Sequence, residues 1–314
     1  MDNEKTIAGS RDPAEYHVPV LLHETIEGLA IRPGGVYVDC TFGGGGHARE
    51  LLKHLDSGAR LFAFDQDADA AKNAPSDPRL VFVPNNFRHL QRFLRLHKVA
   101  AVDGILADLG VSSHQFDEAD RGFSTRYDAE LDMRMDRRQE LTAFGVVNTY
   151  SEQRLHKLFE QYGEVTNAKT LAKTIVSVRS SVSLQGINNF KSALSAVVKG
   201  NPNRYFAQVF QALRIEVNDE LGALRELLQQ IPSLLKPGGR VAIITFHSLE
   251  DRLVKNFFRK GVFEEEEEHP FENTTPQHQL KIITRKPVTA SAEELKRNPR
   301  SRSAKLRIAE KTGE

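Results

Sequence analysis

The sequence predicts an α/β protein with a doubly wound sheet and an inserted all-helical domain. Apolar strands alternate with amphipathic helices up to residue 110, as in a parallel sheet covered on both faces. Over residues 126–204 the pattern is helical, with no convincing strand, and after residue 235 strands return. The expected organisation is therefore one domain built from 1–125 and 205–314, interrupted by a helical domain over 126–204.

The first strand is Val36-Tyr37-Val38-Asp39-Cys40. Phe42-Gly43-Gly44-Gly45-Gly46-His47 follows, and a helix over 48–55 places Leu51, Leu52 and Leu55 on one face. Four glycines are not helix interior; they permit positive φ and let backbone N–H groups approach a ligand at a helix N-terminus. The next strand, 61–65, ends in Asp65, 22 residues beyond Gly43. A doubly wound fold places there the carboxylate that holds a ribose diol. Together these features point to an adenosine-containing cofactor. A plain loop for the glycines and a helix-capping role for Asp65 stay open, and the absence of G-x-x-x-x-G-K-[ST] disfavours a phosphate-binding NTPase loop.

Strands over 80–83 and 104–108 complete the first run. The second ends in Ala107-Asp108-Leu109-Gly110, where such a sheet offers side chains to its crevice. Asp108 there suits a hydrogen bond from an amino N–H that frees the nitrogen lone pair, or the capping of the next turn. Helices are expected over 152–162, 168–178 and 189–199, then one long helix over 207–235, ended by a Lys236-Pro237-Gly238-Gly239 turn. A strand over 240–246, a helix over 249–259 and two final strands, 280–285 and 305–309, close the chain.

The net charge of +1 conceals local bias. Between residues 165 and 215 there are seven basic residues, Lys169, Lys173 and Arg179 among them, and no Asp or Glu. That composition suits a surface facing a polyanion, and Lys169, Lys173 and Arg179 are candidate phosphate contacts. Residues 285–307 repeat the bias, whereas the acidic run 264–268 reads as a solvated loop. The single cysteine excludes disulfides within the chain and cysteine-rich zinc clusters, and no metal site is expected. Cys40 itself, at the end of the first strand, reads as a core residue. With no apolar run of about eighteen residues, the expectation is a soluble cytoplasmic protein without a membrane segment.

The closing strand pair resembles doubly wound methyltransferases, and on that resemblance the cofactor is S-adenosylmethionine. Eight motif blocks in order, 17–22, 39–47, 103–113, 121–124, 131–136, 210–215, 246–251 and 298–303, make the resemblance specific. From His17 onward the chain closely resembles the bacterial 16S ribosomal RNA (cytosine-1402-N4)-methyltransferases. The resemblance implies a class I methyltransferase sheet and transfer of a methyl group to the N4 of a cytidine in 16S rRNA, with the small ribosomal subunit as the expected partner. It implies cofactor contacts by Gly45, Gly46, His47, Asp65, Phe87, Asp108 and Gln115, which sets an adenine-side role for Asp108 beside the amine-orienting one.

Blocks 131–136 and 246–251 carry polar residues in apolar settings. They read as the mouth that admits a flipped cytosine, with Ser248 or Asp251 in contact; Met133 and Met135 as packing residues, and Asp251 as an ion-pair or capping residue, are the plainer readings. Three other functions remain to be separated: a nicotinamide-dependent dehydrogenase, a non-catalytic assembly factor and a DNA amino-methyltransferase.

Overall fold

The computed structural model describes residues 19–263 and 279–313; His17 and Val18 of the first motif and the acidic run 264–268 lie outside them. The chain runs through α1 (Leu22–Gly28), β1 (Val36–Asp39), α2 (Gly46–Lys53), β2 (Arg60–Phe64), β3 (Leu80–Val83), α3 (Leu90–Leu96), β4 (Val102–Asp108) and α4 (Ser113–Asp117). Then come α5 (Ala143–Thr149), α6 (Glu152–Gln161), α7 (Ala168–Val178), α8 (Ile187–Ala193), α9 (Pro202–Asn218) and α10 (Glu220–Leu234). β5 (Leu235–Thr245), α11 (Ser248–Lys260), β6 (Leu280–Ile282), α12 (Ala292–Arg297) and β7 (Lys305–Lys311) complete it.

Among the described residues the strands form one seven-stranded sheet in the order β3-β2-β1-β4-β5-β7-β6. The first five pair in parallel, and β7 runs antiparallel to both β5 and β6. Side chains alternate across the strands with a period of two. Val38, Phe62, Phe64, Ile105, Val241 and Ile243 pack on one face with α10 and α11, while Tyr37, Leu61, Ala63, Leu106, Ala242 and Ile244 pack on the other with α2. Burial on both faces explains why these strands read as apolar runs.

A separate core, from Phe123 to Val217, holds α5 to α9 together. α9 belongs to this core, through Val209, Phe210 and Leu213, whereas α10 belongs to the sheet, through Leu224, Leu227 and Ile231.

Three sequence expectations need correction. The helix expected over 207–235 is two helices, broken at Asp219, whose φ of 46° is left-handed. Both halves are helical in propensity; at the break Arg88 pairs with Asp219 at 2.5 Å and with Glu226 at 3.2 Å. Lys236 to Gly239 do not precede β5 but lie within it, as a bulge: Val102 pairs with Leu235 and Gly104 with Arg240. β6 ends at Ile282; beyond it the Ile283 and Thr284 N–H groups still reach the Ile308 carbonyl, and a bridge joins Val288 to Leu306.

Candidate active site

A cavity of about 180 Å³ opens at the carboxyl ends of the parallel strands. It lies where β1 and β4, adjacent in the sheet, send their chains to opposite sides, the position at which doubly wound sheets bind ligands. Gly46, His47, Asp65, Phe87, Asp108 and Gln115 all line it.

The glycine turn is built for close approach. Gly43 and Gly45 have φ of 51° and 74°, and Gly45 is the left-handed cap preceding α2. A Cβ on Gly45 would sit 2.7 Å from the Phe42 ring, and one on Gly46 2.2 Å from Pro19. Gly45 itself does not line the cavity; it shapes the turn that does. Asp65 locks the turn to β2, because its Oδ2 accepts the Gly43 N–H at 2.7 Å and its Oδ1 the Asp67 N–H at 2.8 Å. Burial pushes the Asp65 carboxyl up to about 6. Each oxygen keeps a lone pair, so a diol can still donate to it.

Phe87 opens a 3₁₀ turn after β3, capped by Asn86, whose side chain accepts the Arg88 N–H. Gln115 spends its amide within the protein, Nε2 donating to Asp67 at 2.8 Å and Oε1 accepting the Ser112 N–H at 3.2 Å. Arg121, 2% exposed, reaches the same Asp67 carboxylate at 2.8 Å. Gln115 thus ties the loop after β4 to the loop after β2.

Two buried carboxyl oxygens beside the cavity, Asp39 Oδ2 and Asp108 Oδ1, have no hydrogen-bond partner among the described residues. Burial pushes the Asp39 carboxyl up to about 7. The Asp108 carboxyl rises well above the carboxylate range, through burial first and then Asp39 and Glu250. His47 donates from Nε2 to the Val20 carbonyl at 3.1 Å, leaving Nδ1 bare 3.7 Å from Asp108. Burial lowers its pKa to about 4, so the ring is neutral at pH 7. Orphaned acceptors, a glycine cradle and a half-buried aromatic fit a ligand that brings its own donors, a ribose and an adenine.

The opposite wall comes from α10, α11 and the insertion. Met135, Asn218, Glu220, Phe246 and Glu250 line it; Met135, Phe246 and Glu250 fall in the two blocks expected at the mouth, although the sequence singled out Ser248 and Asp251 there. Asn218 holds the 131–136 block: its Oδ1 accepts the Met135 N–H at 2.8 Å and its Nδ2 donates to the Met133 carbonyl at 2.8 Å. Met133 and Met135 pack into the insertion core. Glu220, His247 and Glu250 place ligand-type atoms within 4.8 Å of one another, but Arg214 occupies both Glu220 oxygens, at 2.8 and 3.0 Å. The positive charge at this cluster is a guanidinium.

Neither Ser248 nor Asp251 lines the cavity. The Ser248 hydroxyl points to Glu164 at 3.4 Å. Asp251 pairs with Arg307 at 2.6 Å and Lys305 at 3.2 Å, pinning α11 to β7 rather than joining Arg252. Successive helical residues face different ways; the motif points to the right turn of α11, and Glu250 is the residue turned inward. Lys169 and Lys173, one turn apart on α7, are exposed, while Arg179 donates from Nη1 to the Tyr150 and Val147 carbonyls at 2.7 and 3.2 Å, closing the end of α5. Among the described residues no helix is long and apolar enough to cross a membrane.

The sheet order with its antiparallel seventh strand, and the cavity at its switch point, define a doubly wound methyltransferase. The MraW methylase family model matches residues 14–312, and the chain belongs to that family. It is 53% identical over 300 residues to the ribosomal RNA small subunit methyltransferase H of Flavobacterium johnsoniae, covering 95% of this chain and 98% of that one. The protein of the same name from Phocaeicola vulgatus is 52% identical over 297 residues, 94% and 97% of the two chains.

Proposed function

We propose that this protein uses S-adenosylmethionine to methylate the exocyclic N4 of cytidine 1402 in 16S rRNA, acting in the cytoplasm on the small ribosomal subunit. The observation that carries the reading is the cavity at the switch point, walled by the glycine turn, Asp65 and Asp108, in a chain more than half identical to proteins named small-subunit rRNA methyltransferases. When bound, S-adenosylmethionine supplies the methyl group on its sulfonium. Asp65 would take the ribose hydroxyls, Gly46 and His47 the face of the glycine turn, and Phe87 and Asp108 the adenine side. Gln115 and Gly45 support this reading as residues that position the walls.

The helical insertion, 126–204, serves in this reading as the RNA-recognition domain. Lys169 and Lys173 stand on one exposed face of α7, opposite the buried Leu171 and Ile175, and would contact phosphate. Arg179 acts first on the end of α5, and its cationic side chain would add to the phosphate-facing charge.

Transfer of labelled methyl groups to small subunits from cells lacking the protein, with naked rRNA and duplex DNA alongside, tests the reading. Label on N4 of one cytidine in the subunit supports it. Cofactor binding with no label on any acceptor would leave an assembly factor, and label on DNA a DNA amino-methyltransferase.

A further inference from the structure

We propose that Glu250, rather than Asp108, is the carboxylate that receives the exocyclic amine of the acceptor base. The inference deepens the methyl-transfer reading above and rests on it. Glu250 is the third residue of α11, immediately beyond the carboxyl end of β5, and it lines the cavity beside Phe246 and Asp108.

The carboxylate is held in place before any substrate arrives. Its Oε2 accepts the N–H of Phe246 at 2.9 Å and that of His247 at 3.4 Å. His247 Nδ1 faces the Glu250 N–H at 3.5 Å, which places a ring proton on Nε2, 3.2 Å from Glu250 Oε1. That contact is off the line of a hydrogen bond, so Oε1 keeps acceptor capacity for an incoming N–H. Glu250 is only 2% exposed.

The neighbouring carboxyls are less suited to the role. Both Glu220 oxygens accept from Arg214, and Asp108 stands in an environment that favours its neutral form. Burial acts to neutralise Glu250 too, but His247, the Phe246 N–H and Arg214 outweigh it and hold its pKa below the ordinary range.

The step balances. The amine lone pair forms the new C–N bond as the C–S bond breaks, leaving its electron pair on sulfur. The nitrogen becomes cationic and gives up one proton along its hydrogen bond to Glu250, which passes it to water. A fixed anion there accepts an amine hydrogen bond that strengthens as positive charge grows on nitrogen.

Glu250→Gln is the test, because the Gln carbonyl oxygen still accepts the Phe246 N–H while the charge is gone. The expected result is a kcat on small subunits lower by about 100-fold or more, with S-adenosylmethionine affinity, KM for the subunit and Tm all unchanged within threefold or a few degrees. Glu250→Asp, which keeps the charge, should recover at least tenfold over the Gln variant. A Gln variant with kcat within threefold of wild type overturns the proposal, as does an Asp variant no better than Gln. Loss confined to Tm or cofactor affinity would assign Glu250 a structural role and overturn it as well. A wild-type protein that transfers no methyl group overturns the functional reading and this inference with it.

Discussion

Arg214 on α9 donates from Nε and Nη2 to both carboxylate oxygens of Glu220, the first residue of α10, at 2.8 and 3.0 Å. The pair spans the left-handed break at Asp219 and joins a helix of the insertion core to a helix of the sheet. Arg214→Ala leaves Glu220 in a largely buried site beside Glu250 with no compensating charge. Breaking a pair of this kind costs about 3–5 kcal/mol, and urea denaturation should show a loss in that range. Arg214→Lys supplies one donor direction in place of two and should recover part of it. An Ala variant as stable as wild type would show that the two cores are joined by apolar packing alone.

Gly46 is the first residue of α2, and its missing side chain leaves room for Pro19. A Cβ placed 2.2 Å from Pro19 Cγ must push the wall of the cavity outward. Gly46→Ala is expected to weaken S-adenosylmethionine binding more than tenfold in calorimetry while α2, which gains a better helix former, keeps its stability. Gly200→Ala is the control for an added methyl that meets no neighbour, since nothing lies within 4 Å of the Cβ added to Gly200, whose φ is 69°. That variant should show only backbone strain and bind the cofactor normally.

The sheet and the cofactor side of the cavity were legible in the sequence because they rest on local pattern. β1 and β2 bury both faces, so their apolar runs mark them; Gly43 to Gly46 and Asp65 carry their chemistry at fixed spacing. The opposite wall was not legible in the same way. Glu220 and Asn218 sit at a helix break that contacts Arg88, 131 residues from Asp219 in sequence. Glu250 and Asp251 are neighbours of similar chemistry, and only the packing of α11 against β7 decides which of them turns to the cavity. Arg179 reads as any basic surface residue until α5 supplies the carbonyls that consume it.

Asp39 gives a pH signature. Its carboxyl is raised from 3.8 to about 7 by burial, so between those values the unfolded chain is ionised while the native one is protonated. Such a group favours folding fully below its unfolded pKa, and that contribution is lost as pH rises through the folded value. The substitution Asp39→Asn keeps a side-chain oxygen to accept the Thr41 N–H, at 3.0 Å in the wild type, and leaves no charge to bury. At about 1.4 kcal/mol per pH unit, the stability of Asp39→Asn relative to wild type should rise by about 3 kcal/mol between pH 5 and pH 8. Denaturation curves at the two pH values measure it, and a difference independent of pH would place the Asp39 pKa outside that window. The same protonation couples to the ligand: a cationic sulfonium favours the ionised carboxyls, so S-adenosylmethionine should bind more tightly as pH rises from 6 to 8 and release protons, with a smaller effect for the uncharged thioether product.

Lys169 and Lys173 should act through phosphate alone. They are exposed and one helical turn apart, and the fold of α7 rests instead on its buried face of Ala168, Leu171, Ala172 and Ile175. Removing two phosphate contacts from a protein on single-stranded RNA lowers the slope of log K against log salt by about 1.4. Lys169→Ala with Lys173→Ala should therefore bind small subunits more weakly at low salt, converge with wild type as salt rises, and keep the wild-type Tm and cofactor affinity. Arg179→Ala should behave differently, losing stability first, because the carbonyls of Val147 and Tyr150 lose their donor. If the double lysine variant kept the wild-type slope, the α7 face would not be where the RNA backbone lies, and the basic residues of 285–307 would be the next surface to neutralise.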